Sequence, residues 1–273
     1  WVISQYDFPG RGFFSWALIL PLAMPGYVMA YAWADLMGVA GPLQAHLRDL
    51  TGLSARDYWF PNLFSVPGLA FVLGSTLFPY VYISARAAFS MQSLATLEAA
   101  RSLGARPLEL FWRVALPVAL PAILGGLCLA LMEAAADYGA ADFLGIQTLG
   151  VGIVRSWQSY NEPNTAARLA LMLVLIAGSL LLAARLYQGR KGVQQTSSRW
   201  LVPRRARLSR PIAMITTALC TLILLICFIA PIGRLLWLAQ ETNARSIDLW
   251  PLLRATLALG VMGAGAAFIA AFI

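Results

Sequence analysis

Charged side chains are scarce in this sequence. Of its 273 residues, only 12% are Asp, Glu, Lys or Arg and 60% are apolar, whereas an ordinary soluble domain carries roughly 25% charged residues. This scarcity excludes a typical soluble globular protein. The chain is therefore predicted to be an integral membrane protein.

Residues that bind metals or act as catalytic nucleophiles are also few. The sequence has one histidine, His46, and three cysteines, Cys128, Cys220 and Cys227, which all lie in apolar runs. These numbers exclude a disulfide framework, and the spacing matches no metal site. Because one His cannot build a Ser-His-Asp or Cys-His arrangement, we predict no catalytic residue and no metal ligand. An intramembrane enzyme remains an alternative, but no residue pattern in the sequence supports it.

A phosphate-binding loop is missing as well. The pattern G-x4-G-K-[ST] does not occur, and "GRKG" at 189–192 lacks its spacing. The chain itself is thus predicted to bind no ATP and no other cofactor.

Long uncharged runs are what the sequence does contain. Each has about the 17–25 residues that cross a bilayer as a helix, and none alternates as the strands of a membrane barrel would. The predicted fold class is an all-α integral membrane protein. The six predicted spans are 12–34, 58–85, 114–132, 169–184, 211–233 and 255–273. Pro21, Pro25, Pro67 and Pro79 suggest that some of these helices are kinked or interrupted along a translocation path.

The basic residues indicate the orientation of the spans. Thirteen of the 20 Lys and Arg residues fall on one side, Arg11 and the twelve in the loops around 86–113 and 185–210, and the side richer in Lys and Arg is cytoplasmic. The loop at 97–117 is therefore predicted to be cytoplasmic. We interpret the basic segment 185–210 as a marker of the cytoplasmic side and as a contact for anionic lipids, rather than as a nucleic-acid interface.

The cytoplasmic loop 97–117, "LEAARSLGARPLELFWRVALP", has an internal structure of its own. Gly104 is placed to end one short helix, and Pro107 is placed to start another. Pro117 then opens the next span. From these features alone, a generic interfacial helix–turn–helix explains the loop as well as a specialised function does.

The spacing within this loop resembles the EAA loop of ABC importer permeases, E-A-A-x3-G-x9-I-x-L-P. Glu98, Ala99 and Ala100 are followed at that spacing by Gly104 and by "VALP" at 114–117, in which Val114 replaces the usual Ile. Flanking stretches such as "LFPYVYISARAAF" and "LMEAAADYGAADFLG" also look like the iron(III)-type permeases. The resemblance covers nearly the whole chain.

This resemblance implies a type I importer with the MetI-like transmembrane helix bundle in a bacterial cytoplasmic (inner) membrane. It implies that the loop docks on a dimer of a separate ABC ATPase subunit, which binds ATP and Mg²⁺, and that an extracytoplasmic substrate-binding protein delivers the substrate. Gly104 would be the elbow of the loop. The implied docking residues are Glu98, Ala99, Ala100, Arg101, Gly104, Leu116 and Pro117.

Two carboxylates form a second candidate site. Glu133 and Asp137 are four residues apart near the outer end of a predicted span, and ionisable groups at such a depth usually face a cavity or a partner. They are predicted to line the translocation path and to attract a cation. The alternative is structural, with Asp137 marking the exit of the span and Glu133 paired with an arginine such as Arg168.

The iron-type relatives that the sequence resembles have two fused halves, and this sets the expected domain organisation. We expect 1–187 to be most of a first half that lacks its leading helix or helices, 188–210 to be a basic cytoplasmic linker, and 211–273 to be the start of a second half in a longer polypeptide. The implied substrate is ferric iron. Thiamine, a polyamine or a phosphonate are alternative substrates, and a membrane channel or scaffold that needs no ATP is an alternative of another class.

Overall fold

The computed structural model describes residues 1–92, 102, 104, 106–190, 206–241, 250, 254 and 257. By its internal contacts the chain forms two compact units, 1–232 and 233–273. Most of the predicted linker and, apart from Leu257, the predicted sixth span at 255–273 lie outside the described residues. The expected division into two permease halves stays a prediction.

The described part of the chain is built almost entirely from helices, as predicted. The α-helices are α1 (Val2–Gln5), α2 (Arg11–Ala17), α3 (Gly26–Met37), α4 (Pro42–Thr51), α5 (Val66–Ser90), α6 (Pro107–Leu110), α7 (Leu116–Ala136), α8 (Gly139–Phe143), α9 (Leu149–Gln158), α10 (Pro163–Arg190), α11 (Arg210–Leu224) and α12 (Ala230–Glu241). A 3₁₀ turn covers Leu20–Ala23, and π-helical turns cover Phe111–Ala115 and Leu225–Ile229.

Four helical stretches are long and apolar enough to cross a membrane: Val66–Ser90, Leu108–Ala136, Pro163–Leu186 and Arg210–Gln240. They correspond to the predicted spans that begin at 58, 114, 169 and 211. The predicted span 58–85 started too early, because the structure has no helix between Gly52 and Ser65. There the side chain of Ser65 caps α5 by accepting a hydrogen bond from the backbone N–H of Gly68 at 3.2 Å.

The predicted first span, 12–34, is not one straight helix. Its two limbs, Arg11–Ala23 and Gly26–Thr51, meet at an angle of 95°. Pro21 lies in the 3₁₀ turn, and Pro25 is the residue just before α3. A proline has no backbone N–H to donate and its ring crowds the preceding turn, so two prolines four residues apart break the helix here.

Two strands that the sequence did not predict pair near the C-terminal end of α5. β1 (Tyr6–Asp7) and β2 (Ala206–Arg207) run parallel, with Tyr6 opposite Ala206 and Asp7 opposite Arg207. The pair joins the first residues of the chain to the segment that leads into α11. A neighbouring apolar cluster also connects these regions, because Phe14 and Leu18 of the first limb pack with Cys220 and Leu224 of α11.

The main apolar core lies around α3, α5 and α8. Met29, Val72 and Val151 are fully buried at its centre. In contrast, α10 exposes Leu171, Val174 and Leu175, each at 60% or more of its side-chain surface. An apolar surface of this kind is what a lipid-facing helix presents.

Candidate functional site

The predicted docking loop is described only in part. Glu98, Ala99, Ala100 and Arg101 lie outside the described residues. Gly104 is exposed and has φ +86°, with no atom within 4 Å of where a Cβ would be. The left-handed conformation, and not crowding, is therefore what favours glycine here. This geometry suits the predicted elbow, while the docking role of the loop stays a prediction.

The segment after the elbow differs from the prediction. Pro107 does start a helix, but no break precedes Pro117, because Leu108–Ala136 forms one helical stretch. The helix instead widens into the π-helical turn Phe111–Ala115 directly before Leu116. Pro117 cannot donate a backbone hydrogen bond and its ring crowds the carbonyl four residues earlier, which explains a wider turn at this place. Leu116 and Pro117 thus lie within the first turn of α7.

A hydrogen bond closes the base of the loop. The Gln92 side-chain Nε2 donates to the carbonyl oxygen of Ala115 at 2.6 Å, and Ala115 is fully buried. Phe89 packs against Phe111, with ring centroids 6.2 Å apart. The ring centroid of Trp1 lies 5.1 Å from that of Phe111. These contacts tie the end of α5 to the start of α7. Sequence reasoning missed Gln92, since one polar residue at a helix end carries no pattern.

Glu133 and Asp137 occupy different positions at the outer end of α7. Glu133 is helical and exposed, whereas Asp137 follows the last helical residue and has extended dihedral angles. Its Oδ1 accepts hydrogen bonds from the backbone N–H groups of Ala140 and Ala141 at 3.0 and 3.2 Å. Asp137 therefore ends α7 and caps α8. This is the structural role that was left open in the sequence.

A cavity of about 160 Å³ nevertheless brings both carboxylates together. Its walls come from the break in the first span, from α5 and from α7. The lining residues are Leu22, Met24, Pro25, Gly26, Leu73, Thr76, Leu77, Tyr80, Glu133 and Asp137. Two of them are acidic and none is basic, so the cavity has a negative potential that favours a cation.

The second limb of the bent first span reaches the Asp137 carboxylate closely. A Cβ built on Gly26 would lie 3.1 Å from Asp137 Oδ2. Gly26 is the first residue of α3, so the carboxylate lies at the positive end of the α3 dipole, which stabilises a negative charge. The paired prolines were the sequence signal for this wall, while Gly26, Thr76 and Tyr80 gave none.

Glu133 has a different environment from Asp137. Across the part of the chain that the structure describes, ion pairs join Arg113 to Glu109 at 3.4 Å and Arg155 to Asp142 at 2.9 Å, and none joins Glu133 to Arg168. The alternative of a Glu133–Arg168 pair is therefore not supported. Within the same residues, no group of three or more His, Cys, Asp or Glu side chains could hold a metal ion.

The outer connection between α8 and α9 carries its own polar contacts. Arg155 of α9 bonds to Asp142 Oδ1 at 2.9 Å, and the Tyr138 hydroxyl donates to Asp142 Oδ2 at 3.2 Å. Desolvation, followed by the hydrogen bond to Asp142 and its charge, raises the pKa of Tyr138 above its ordinary value. The Arg155–Asp142 pair is partly exposed, at 37% and 35% of the side chains, so water screens it and it contributes little stability.

Known proteins match this chain over most of its length. Residues 3–189 match the family described as "Binding-protein-dependent transport system inner membrane component". The probable ABC transporter permease protein y4fN of Sinorhizobium fredii is 30% identical over 277 residues, covering 99% of this chain and 48% of that protein. The Fe(3+)-transport system permease protein FbpB 2 of Haemophilus influenzae is 23% identical over 190 residues, covering 70% and 33%. The molybdenum transport system permease protein ModB of the same species is 27% identical over 183 residues, covering 65% and 77%.

The chain thus spans about half the length of y4fN and a third of FbpB 2. The family match covers well over half of the chain and includes both the loop 97–117 and the cavity at Glu133. The four membrane-length helices agree with a multi-pass inner-membrane protein. The chain belongs to the family of binding-protein-dependent transport system inner membrane components.

Proposed function

We propose that this chain is part of the membrane-spanning permease subunit of an ABC importer, and that substrate passes the cavity bordered by Glu133 and Asp137. The observation that carries this proposal is the composition of the cavity. It lies where the first span breaks, and it has two carboxylates and no basic side chain in its walls. Irregular backbone at membrane depth is tolerated where it lines such a cavity, which supports a path rather than a packing defect.

The energy source in this proposal is a separate ATPase dimer that binds ATP and Mg²⁺. Its contact on the chain is the loop 97–117, with Glu98 as the charged group and Gly104 as the elbow. The spacing of the motif and the left-handed conformation of Gly104 support this assignment. The hydrogen bond from Gln92 to Ala115 would pass a movement of the loop to α5 and α7 together.

The proposed substrate is ferric iron, delivered by an extracytoplasmic binding protein. Carboxylate oxygens are the ligands that hard cations prefer, and two unit charges 4 Å apart interact by about 4 kcal/mol at an effective dielectric constant of 20. An anion would be repelled to a similar degree. FbpB 2, whose name states Fe(3+) transport, is among the similar proteins, but so is ModB, whose name states molybdenum transport. The cavity charge is the reason for preferring the cation.

Iron uptake tests the substrate assignment. The full-length protein, with its ATPase and binding protein, is reconstituted in proteoliposomes, and ATP-driven entry of radioactive ferric iron is measured. We expect Glu133→Gln to lower uptake at least about tenfold, the equivalent of roughly 1.4 kcal/mol, because a neutral amide does not attract the cation. The control Glu162→Gln changes an exposed outer carboxylate and should leave uptake unchanged. Unchanged uptake in Glu133→Gln, or uptake of a phosphonate, thiamine or polyamine instead of iron, contradicts the assignment.

Co-purification tests the docking assignment separately. We expect Glu98→Ala to reduce the amount of ATPase that co-purifies with the membrane subunit, because the Arg or Lys of the ATPase that pairs with the Glu98 carboxylate then has no partner. Glu109→Ala is the matched control, since Glu109 lies in the same loop region and its ion pair with Arg113 is largely exposed. An equal yield of ATPase from Glu98→Ala and wild type would refute docking through Glu98.

A further inference from the structure

Helix α4 forms the last part of the limb Gly26–Thr51 and precedes α5, whose other end leads into the loop 97–117. It begins only a few residues after the end of α3, following the turn at 38–41. Its sequence, "PLQAHLRDLT", mixes apolar and polar residues. The helix therefore lies near the bilayer surface, and its faces can be assigned one by one.

The polar face of α4 is directed towards the protein. Gln44 is buried, and its Nε2 donates to the carbonyl oxygen of Met37 at 2.8 Å, while its Oε1 accepts from the Tyr58 hydroxyl at 2.8 Å. One turn later, Arg48 Nη2 donates to the carbonyl oxygen of Val39 at 2.8 Å. Two polar residues at i and i+4 thus hold the helix in place through hydrogen bonds. This is the reverse of a soluble amphipathic helix, which buries its apolar face.

The apolar residues of α4 lie on a flank that the protein does not cover. Leu43, Leu47 and Leu50 are spaced i, i+4 and i+7, which at about 100° per residue places them within roughly 60° of one another. Leu43 is 45% exposed and Leu50 is 79% exposed. Of the exposed polar residues, Asp49 lies about 100–160° from each of these leucines around the helix, whereas His46 lies only about 40° from Leu50, at the edge of the apolar flank. The helix thus has a protein-facing side, an apolar flank and a polar flank.

Trp59 is a further exposed apolar residue in the segment that follows α4. It is 85% exposed and directly follows Tyr58, whose hydroxyl is bound to Gln44 of α4. Trp is enriched where a membrane protein meets the boundary between headgroups and acyl chains. Interfacial helices have this division between an apolar and a polar flank. The continuity of α4 with a membrane-spanning limb therefore favours lipid over water or a protein as what covers the apolar flank.

We propose that Leu43, Leu47, Leu50 and Trp59 insert into the headgroup–acyl boundary of the outer leaflet of a phospholipid bilayer, with Asp49 facing water and His46 at the edge between the two flanks. Such an anchor holds the outer end of α3. The other end of α3 is Gly26, which borders the cavity at Asp137. The lipid contact thereby positions one wall of that cavity, and it does so whichever substrate the protein carries.

The test compares two labelled sites on opposite flanks. All cysteines of the full-length protein, Cys128, Cys220 and Cys227 among them, are first replaced by Ala, and Leu50→Cys or Asp49→Cys then carries an environment-sensitive fluorophore. Each variant is reconstituted in vesicles of phosphatidylethanolamine and phosphatidylglycerol. We expect lipids with a nitroxide near the headgroup to quench the label at 50 several-fold more than the label at 49, and aqueous iodide to do the opposite. A melting temperature equal to that of the cysteine-free parent shows that a variant is folded.

Two results would overturn the proposal. In one, iodide quenches both labels equally, which means that the flank faces water. In the other, the label at 50 is accessible to iodide in vesicles and becomes protected only when the purified substrate-binding protein is added, which assigns the flank to a protein partner. If Leu50→Cys does not fold, Leu43→Cys on the same flank replaces it, with the same two outcomes.

Discussion

Helices α7 and α5 approach each other closely at Gly126, beside the cavity-lining Tyr80, and the effect of a substitution there can be worked out from the structure. A Cβ at this position would lie 2.6 Å from Ser84 Oγ and 2.7 Å from the carbonyl oxygen of Tyr80. Since ordinary contacts of a Cβ are 3.4–4 Å, α7 and α5 would have to separate by roughly 0.7 Å. Overpacking of this kind costs about 1–3 kcal/mol. At about 2–4 °C per kcal/mol, we expect Gly126→Ala to lower the Tm by about 2–12 °C.

The assay is thermal unfolding of the detergent-solubilised full-length protein. Gly178→Ala is the control, because Gly178 lies in the lipid-exposed α10 with no atom within 4 Å of its added Cβ. There the higher helix propensity of Ala, worth about 1 kcal/mol, should leave the Tm unchanged or raise it. Adding Ser84→Ala to Gly126→Ala should restore only part of the loss, because the Tyr80 carbonyl belongs to the backbone. The reasoning fails if Gly126→Ala and Gly178→Ala have the same Tm.

Two further changes address the loop 97–117. Gln92→Met keeps the length of the side chain but removes the 2.6 Å hydrogen bond to Ala115, which is worth about 0.5–1.5 kcal/mol. We expect this variant to hydrolyse more ATP per substrate molecule transported. An unchanged ratio of ATP hydrolysed to substrate transported would contradict the coupling role of Gln92. Gly104→Val forces a β-branched residue into a φ of +86°, at a cost of about 1–2 kcal/mol. It should reduce co-purification of the ATPase and, at about 2–4 °C per kcal/mol, lower the Tm by about 2–8 °C, whereas Gly104→Asn, which tolerates this conformation, should retain more of the ATPase and a higher Tm.

The membrane helices could be predicted from the sequence because the requirement that sets them is one of length. A helix must cover the hydrocarbon core, so the uncharged runs at 114–132 and 211–233 correspond to the longer helices Leu108–Ala136 and Arg210–Gln240. The helices extend beyond the runs because charged residues such as Glu133 and Arg210 are also helical. Hydropathy could not place the first span correctly. It registers Pro21 and Pro25 only as apolar residues.

Proline position alone does not decide whether a helix breaks. Pro79 and Pro121 lie inside α5 and α7, which continue through them, whereas Pro21 and Pro25 accompany a bend of 95°. Neighbouring helices and local widening can satisfy the backbone groups that a proline leaves, and the close packing of α5 on α7 at Gly126 supplies such neighbours. The β1–β2 pair has a similar explanation. It joins residues 200 positions apart, and two-residue strands carry no alternating pattern.

The spacing of Glu133 and Asp137 predicted that they share one helix face, and in the structure both line the same cavity, but the spacing did not indicate what each one does. The i, i+4 spacing assumed a continuous helix, and α7 ends before Asp137. The sequence pattern could not show that Asp137 would use one oxygen to cap α8 and turn the other towards Gly26. Asp137 is therefore largely committed to structure, which leaves Glu133 as the carboxylate through which the cavity can respond to a cation.

The helix break and the carboxylates also explain each other. A bend at membrane depth leaves backbone groups without helical partners, and these are costly in hydrocarbon. A buried carboxylate has the opposite need, since its negative charge requires donors or a positive dipole nearby. Placing the start of α3 beside Asp137 meets both needs, because the positive end of the helix dipole meets the negative charge. A straight first span would remove this dipole from the cavity and leave Asp137 with α8 alone, so the two prolines belong to the architecture of the cavity as much as the two acids do.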